Sequence, residues 1–265
     1  MNSYLDKIID QTVLTVEADK RKISFQEIKS YISDLDKTKR FFESIKKRYD
    51  EGLVSVIAEI KRASPSQGLI RENFNPKDIA ISYQEHQATC LSVLTDAPFF
   101  KGSLEDLSSV REVVDLPLLR KDFIVDEYQI YQSRFYGADC ILLIASVLSD
   151  TQLKEFKEIG QELCLDVLVE VHDKSEMDRA RKLDFKLIGI NNRNLKTFKV
   201  NLDTTIQLSD SLSLTDKIII SESGIKSKED VEKILTSGTK TFLVGESFMR
   251  ASNPGQELKK LFFSS

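Results

Sequence analysis

From Val54 onward, short apolar runs return along the chain, each followed by a longer segment with helical spacing. The runs are VSVIAEI (54–60), CLSVL (90–94), PLLRK (117–121), DCILLIA (139–145), LDVLVEV (165–171), KLIGI (186–190), KIIISE (217–222) and TFLVG (241–245). Too short for helices and nearly continuous in apolar character, these eight runs suit parallel strands covered on both faces. Between them lie helix starts, SLED from Ser103, SDTQ from Ser149 and SKED from Ser227, each a serine with an acid or amide three residues on. The chain before Val54 reads as helix only. Leu5, Ile8, Ile9, Val13 and Val16 form one stripe, SFQE from Ser24 looks like a capping box, and Phe25, Ile28, Ile32 and Leu35 form a second stripe. Two such stripes cannot bury each other fully, so both are expected to lie against a larger body.

Eight strand–helix units predict an α/β fold, a (β/α)8 TIM barrel over 54–262 with an N-terminal helical extension over 1–50, all in a single domain. The competing architecture is an open doubly wound sheet. That fold would normally place a Gly-rich dinucleotide turn after its first strand, whereas this first strand runs into KRASPSQG. Room remains after the eighth run for one closing helix, and no second fused enzyme is expected.

Polar residues concentrate where the strands end. Ile57, Glu59 and Lys61 alternate, so an extended chain puts a carboxylate and an ammonium on the same face as an isoleucine. By itself this would pass for an edge strand with a solvated face. The third strand, however, ends in Lys121, the fifth in Glu170 and the seventh in Glu222 and Ser223; the sixth leads into Asn191 and Arg193, the eighth into Gly245 and Glu246. Charged groups are costly in a barrel core unless paired or used, and the C-terminal strand ends are where barrel active sites are built. Gly224 in ESGI and Gly245 in VGES follow strands seven and eight, where backbone amides can approach a phosphate. Lysines and glutamates in one pocket can exchange protons, and the planar fork of Arg193 suits a substrate carboxylate. His172, one residue past Val171, reads as structural or loop-exposed, and His86 as surface or packing.

Composition narrows the function classes. The 265 residues are 41% hydrophobic and 30% charged, with a net charge of −4. That balance gives no basic footprint for nucleic acid. The basic stretch KTKRFFESIKKR is interleaved with Phe41, Phe42 and Ile45 and reads as a solvated helix face. Cys90, Cys140 and Cys164 lie beside apolar runs without metal-ligand spacing, which argues for reduced, buried thiols. No catalytic metal is expected. With no basic leader and no apolar run of membrane-spanning length, a cytoplasmic protein without membrane partners is expected.

The motifs IAEIKRASPSQG, LSVLTDAPFFKGSLEDL, PLLRKDFIVDEYQI, GADCILLIASVL, VLVEVHD, IGINNRNLKTF, ISESGI and FLVGESFMR together resemble the indole-3-glycerol-phosphate synthase family of tryptophan biosynthesis. That resemblance implies conversion of 1-(2-carboxyphenylamino)-1-deoxyribulose 5-phosphate to indole-3-glycerol phosphate, with loss of carbon dioxide and water and no cofactor. It implies Lys121 as general acid, Glu170 as base of the dehydration, and Lys61 as substrate contact and acid for hydroxide loss, with Glu59 and Asn191 in support. Ser64 and Arg193 fall on the anthranilate-carboxylate side, Phe100 and Phe123 beside the aromatic ring, and Glu222 and Ser223 at the mouth. Gly224, Gly245 and Glu246 would supply phosphate-site backbone. The helical extension is expected to fold over the barrel mouth. The expected state is a monomer, with contact to other tryptophan-pathway enzymes left open. Gln67 stands where many members have Lys, and Asn194 where Asp is common. Two other readings stay open: another phosphate-binding barrel such as phosphoribosylanthranilate isomerase, and a non-catalytic sugar-phosphate-binding barrel.

Overall fold

The computed structural model describes residues 4–32, 35, 37–195, 197–209 and 217–264, so the first three residues of the predicted extension lie outside it. The barrel strands are β1 (Ser55–Ile60), β2 (Cys90–Leu94), β3 (Leu118–Lys121), β4 (Cys140–Ile144), β5 (Asp166–Val171), β6 (Leu187–Asn191), β7 (Ile218–Glu222) and β8 (Thr241–Val244). Each falls within a predicted run or ends one residue beyond it. All pair in parallel with their chain neighbours, and β8 closes onto β1 from Ser55–Thr241 to Ala58–Val244.

The alternation along each strand sorts side chains into two cores. Ile57, Leu119, Leu142, Leu168, Ile220 and Leu243 fill the barrel interior. Val56, Leu91, Val169, Ile188 and Phe242 point outward and pack under the surrounding helices. Ser103, Ser149 and Ser227 cap their helices as the sequence predicts, the last two in full capping boxes. One element the pattern misses is a short antiparallel hairpin, Ala63–Ser64 against Gly68–Leu69, which carries the loop after β1.

The N-terminal segment divides between the two ends of the barrel. Helix α1 (Tyr4–Lys22) buries Ile8, Thr12 and Val16. These positions are four apart and share one face, whereas Val13, included in the predicted stripe, is one position off and 47% exposed. Helix α2 (Phe25–Ile32) starts at the predicted capping box, with Ser24 N donating to Glu27 and Glu27 N to Ser24 Oγ. Leu35 lies beyond its end and is exposed. Helix α3 (Phe41–Asp50) does not cover the mouth. Its start is tied to the opposite end, where Lys39 N donates to Asp139, just before β4, and Phe42 N to Asp166, the first residue of β5. Phe41 and Ile45 thereby plug the barrel floor beneath Ile57 and Cys90, while Tyr4, Leu5 and Ile8 of α1 line the cavity at the mouth. The basic residues of α3 lie outside this plug, with Lys46 paired to Asp50. Cys90 and Cys140 are buried free thiols; Cys164, expected to be buried, is exposed in the turn before β5.

Candidate active site

The inward positions at the C-terminal strand ends bring most of the predicted polar residues into one cavity of about 150 Å³. The alternation that makes Leu168 and Leu119 core residues puts Glu170 and Lys121, two positions later, on the same inner face. Lys121 Nζ lies 2.7 Å from Glu170 Oε2 and 3.2 Å from Glu222 Oε2. Glu170 Oε1 accepts from Asn191 Nδ2 at 3.1 Å, and Asn191 Oδ1 accepts from the Arg193 amide at 2.9 Å. On the other side of the cavity Lys61 donates to Glu59. Glu59, Glu170 and Glu222 are each less than 5% exposed.

Two glycines make room for these carboxylates. A methyl on Gly189 of β6 would collide with Glu222 Oε1 and stand 3.0 Å from its Cδ. One on Gly245, just after β8, would collide with Glu59 Oε1 and stand 2.9 Å from its Cβ. Gly245, predicted to open its backbone to phosphate, therefore also leaves space for Glu59.

Burial works against the Lys121 charge, but the fields of Glu170, Glu222 and Glu59 outweigh it and hold the ammonium above its ordinary range. Burial likewise pushes Glu170 up, yet Lys121 and His172 together draw its carboxyl well below the usual carboxylate range. Glu222 goes the other way. Burial, reinforced by the charges of Glu170 and Glu59 and opposed by Lys121, pushes it up to about 7. The cluster thus holds a protonated lysine, one firmly ionised carboxylate and one carboxyl that titrates near neutrality.

The cavity rim is built from loops. Ser64 and Ser66 come from the β1 loop, Phe100 and Phe123 from the loops after β2 and β3, with ring centroids 6.1 Å apart, and Ser223 and Gly224 from a turn of positive φ after β7. Arg193 Nη1 donates to Ser66 Oγ at 3.3 Å, and its Nη2 lies 3.3 Å from Glu246 Oε2. Gln67 accepts from Arg250 at 2.8 Å, so the β1 loop touches the short helix Glu246–Arg250. Asn194 Oδ1 accepts from Thr197 N, a local loop bond.

Glu246 departs from its expected place. It does not line the cavity, and its carboxylate pairs with Arg193 and Arg250. Of the two expectations for His172, structural or loop-exposed, the second fails. It is not loop-exposed: although β5 ends at Val171, the ring keeps the strand's alternation and sits beside Glu170, its Nε2 3.3 Å from Glu170 Oε1. His86 packs against its own helix, bonded to the Ser82 carbonyl at 2.7 Å. Ile8, from the predicted stripe of the extension, helps close the cavity from above, together with Tyr4, Leu195 and Phe198, which sequence reading did not single out. Their only signal was apolar character, shared with ordinary core. Among the described residues, no group of three or more His, Cys, Asp or Glu side chains could hold a metal ion, and no helix is long and apolar enough to cross a membrane.

A family model described as Indole-3-glycerol phosphate synthase matches residues 5–261. The indole-3-glycerol phosphate synthase of Neisseria meningitidis serogroup C is 47% identical over 262 residues, covering 99% of this chain and 100% of the relative. That of Delftia acidovorans is 47% identical over 267 residues at the same coverage. Among solved structures, an N-acetylmannosamine-6-phosphate 2-epimerase from Clostridium perfringens superposes with a TM-score of 0.58 at 14% identity, covering 78% of this chain and 91% of that one. A thiamine phosphate pyrophosphorylase from Pyrococcus furiosus gives 0.57 at 16% identity, covering 79% and 95%. At those identities the likeness concerns the barrel alone.

Proposed function

The chain belongs to the indole-3-glycerol phosphate synthase family, and from that premise we propose that the cluster around Lys121 carries out the ring closure. The enzyme converts 1-(2-carboxyphenylamino)-1-deoxyribulose 5-phosphate to indole-3-glycerol phosphate, carbon dioxide and water. Lys121 is the acid of the first step. As the aromatic carbon attacks the ribulose carbonyl, its oxygen gains a proton from the ammonium; loss of the carboxylate as carbon dioxide then restores the aromatic ring. Dehydration follows, with Lys61 protonating the departing hydroxyl and Glu170 accepting a ring proton.

A single observation carries this reading: the Lys121 ammonium lies between Glu170 and Glu222 on the cavity floor. A carboxylate held far below its usual range is a weak base, and Lys121 is a main cause of that depression. Once Lys121 has given its proton away, its field on Glu170 vanishes and the carboxylate becomes more basic for the step that needs it. Acid and base are coupled through one contact, so the order of the two steps follows from their electrostatics.

The remaining roles are positional. Phe100 and Phe123 flank the aromatic ring, and Arg193 with Ser64 takes the anthranilate carboxylate. Arg193 would exchange its contact with Glu246 for that ligand. The phosphate lies over Gly224 and Gly245; Glu246 contributes there through its amide only, since its carboxylate would repel a phosphate. Gripping a flexible substrate at both anionic ends orients it for ring closure and can lower the barrier by several kcal/mol. Glu59 and Asn191 hold Lys61 and Glu170 in register. The chain is read as a monomer acting in the cytoplasm.

Glu170→Gln tests the assignment. Turnover followed by indole fluorescence should fall by about 10²–10⁴-fold with little change in KM. Turnover within a few-fold of the parent would remove Glu170 as the base.

A further inference from the structure

His172 forms, with Glu176 and Glu170, a chain of contacts that ends on the proposed base. Its Nδ1 lies 3.1 Å from Glu176 Oε2, and the same oxygen accepts the His172 amide at 2.7 Å. Glu176 is itself anchored at the start of helix Lys174–Lys182, where its amide donates to Asp173. With backbone and ring both tied to one carboxylate, the imidazole has little freedom. Its far nitrogen, Nε2, is buried, has no aligned acceptor, and stands 3.3 Å from Glu170 Oε1.

From this geometry we infer that His172 is a positioning residue for the reaction, a fixed imidazolium that orients Glu170 and keeps it ionised from the side opposite Lys121. Glu170 then has Lys121 on Oε2, and Asn191 and His172 against Oε1. The charged groups facing His172 are Glu170 from β5 and Glu176 from the helix after it. Beyond Glu170 lie Lys121 from β3 and Glu222 from β7. Burial alone would favour a neutral ring, but the two adjacent carboxylates push the pKa of His172 up to about 10. The consequence is chemical. When Lys121 transfers its proton, Glu170 loses one cation and keeps the other, so its basicity rises without the carboxylate leaving its place.

The inference rests on the reading of Glu170 as base, but its first test does not depend on activity. The chain holds two histidines, so a ¹⁵N imidazole spectrum assigned with H86Q resolves His172 in the intact protein. Both ring nitrogens of His172 should stay protonated through pH 8. A neutral ring at pH 7 would overturn the proposal, whatever E170Q does. Kinetics supply the second test. H172Q keeps a donor of similar reach without the charge, so the acidic limb of its kcat profile should move up by about one pH unit. Its kcat at neutral pH should fall on the order of tenfold with KM within about twofold. An acidic limb that stays put in folded H172Q would reduce His172 to a packing role.

Discussion

Gly189→Ala adds one methyl group, far from any backbone strain, at the point where β6 passes Glu222. That methyl would overlap Glu222 Oε1 and approach its Cδ to 3.0 Å. No real side chain tolerates the first contact, so the carboxylate must withdraw by about 1 Å. Neighbours leave it little choice of direction. Glu222 is 2% exposed, and its other oxygen holds Lys121 at 3.2 Å. A displacement of that size breaks the contact and shifts the ammonium, and misplacing a reacting group by about 1 Å can cost on the order of 10²-fold in rate. Overpacking adds about 1–3 kcal/mol of destabilisation, which for a chain of this size lowers Tm by roughly 2–10 °C. Indole fluorescence under substrate saturation and a thermal melt read both quantities. A G189A protein with parental kcat and parental Tm would refute the packing of Glu222 against Gly189 and its place in the cluster.

Gly245→Ala should act through Glu59, whose carboxylate and Cβ it would crowd, and should therefore lower kcat about tenfold or more. If KM alone rises, Gly245 serves phosphate approach and not Glu59. Glu222, raised to about 7 from its ordinary 4.5, binds its proton more tightly in the folded protein than in the unfolded chain. Its stabilising contribution is complete below about pH 4.5 and is lost as pH rises through about 7. The Tm difference between the parent and E222Q should accordingly move against the parent between pH 5 and pH 8, and a difference that is flat or of the opposite slope would contradict the shift.

The strand ends were legible because two periodicities coincide. Alternation fixes which residues face inward, and the run boundaries fix where each strand stops, so Lys121, Glu170 and Glu222 could be placed in one cavity without coordinates. What escaped depends on contacts between elements distant in sequence. Nothing in Gly189 itself says that Glu222 will lie over it, since that contact needs the register Asn191–Glu222 between neighbouring strands. Helix α3 looks as amphipathic as α1, and what ties it to the floor, the bonds from Lys39 N to Asp139 and from Phe42 N to Asp166, joins residues about a hundred or more positions apart. His172 was left between a structural and a loop position because the strand hydrogen bonding ends at Val171, while the side-chain alternation continues past it and keeps the ring beside Glu170. Gln67 reaches across to Arg250, so the loop after β1 makes a polar contact there through a neutral side chain. The isomerase alternative does not survive a family match that spans residues 5–261.

The assignment of Lys121 as the acid of ring closure is tested most directly by Lys121→Met in a single turnover, with enzyme in excess over substrate and the binding constant measured separately by titration. Methionine keeps most of the buried chain length and removes only the proton donor and charge. The account predicts a rate constant for indole appearance reduced by about 10²–10⁴-fold and a substrate Kd within a few-fold of the parent. An unchanged single-turnover rate would mean that the proton comes from another group. A Kd weakened in proportion to the rate would mean that Lys121 binds substrate without taking part in the chemistry.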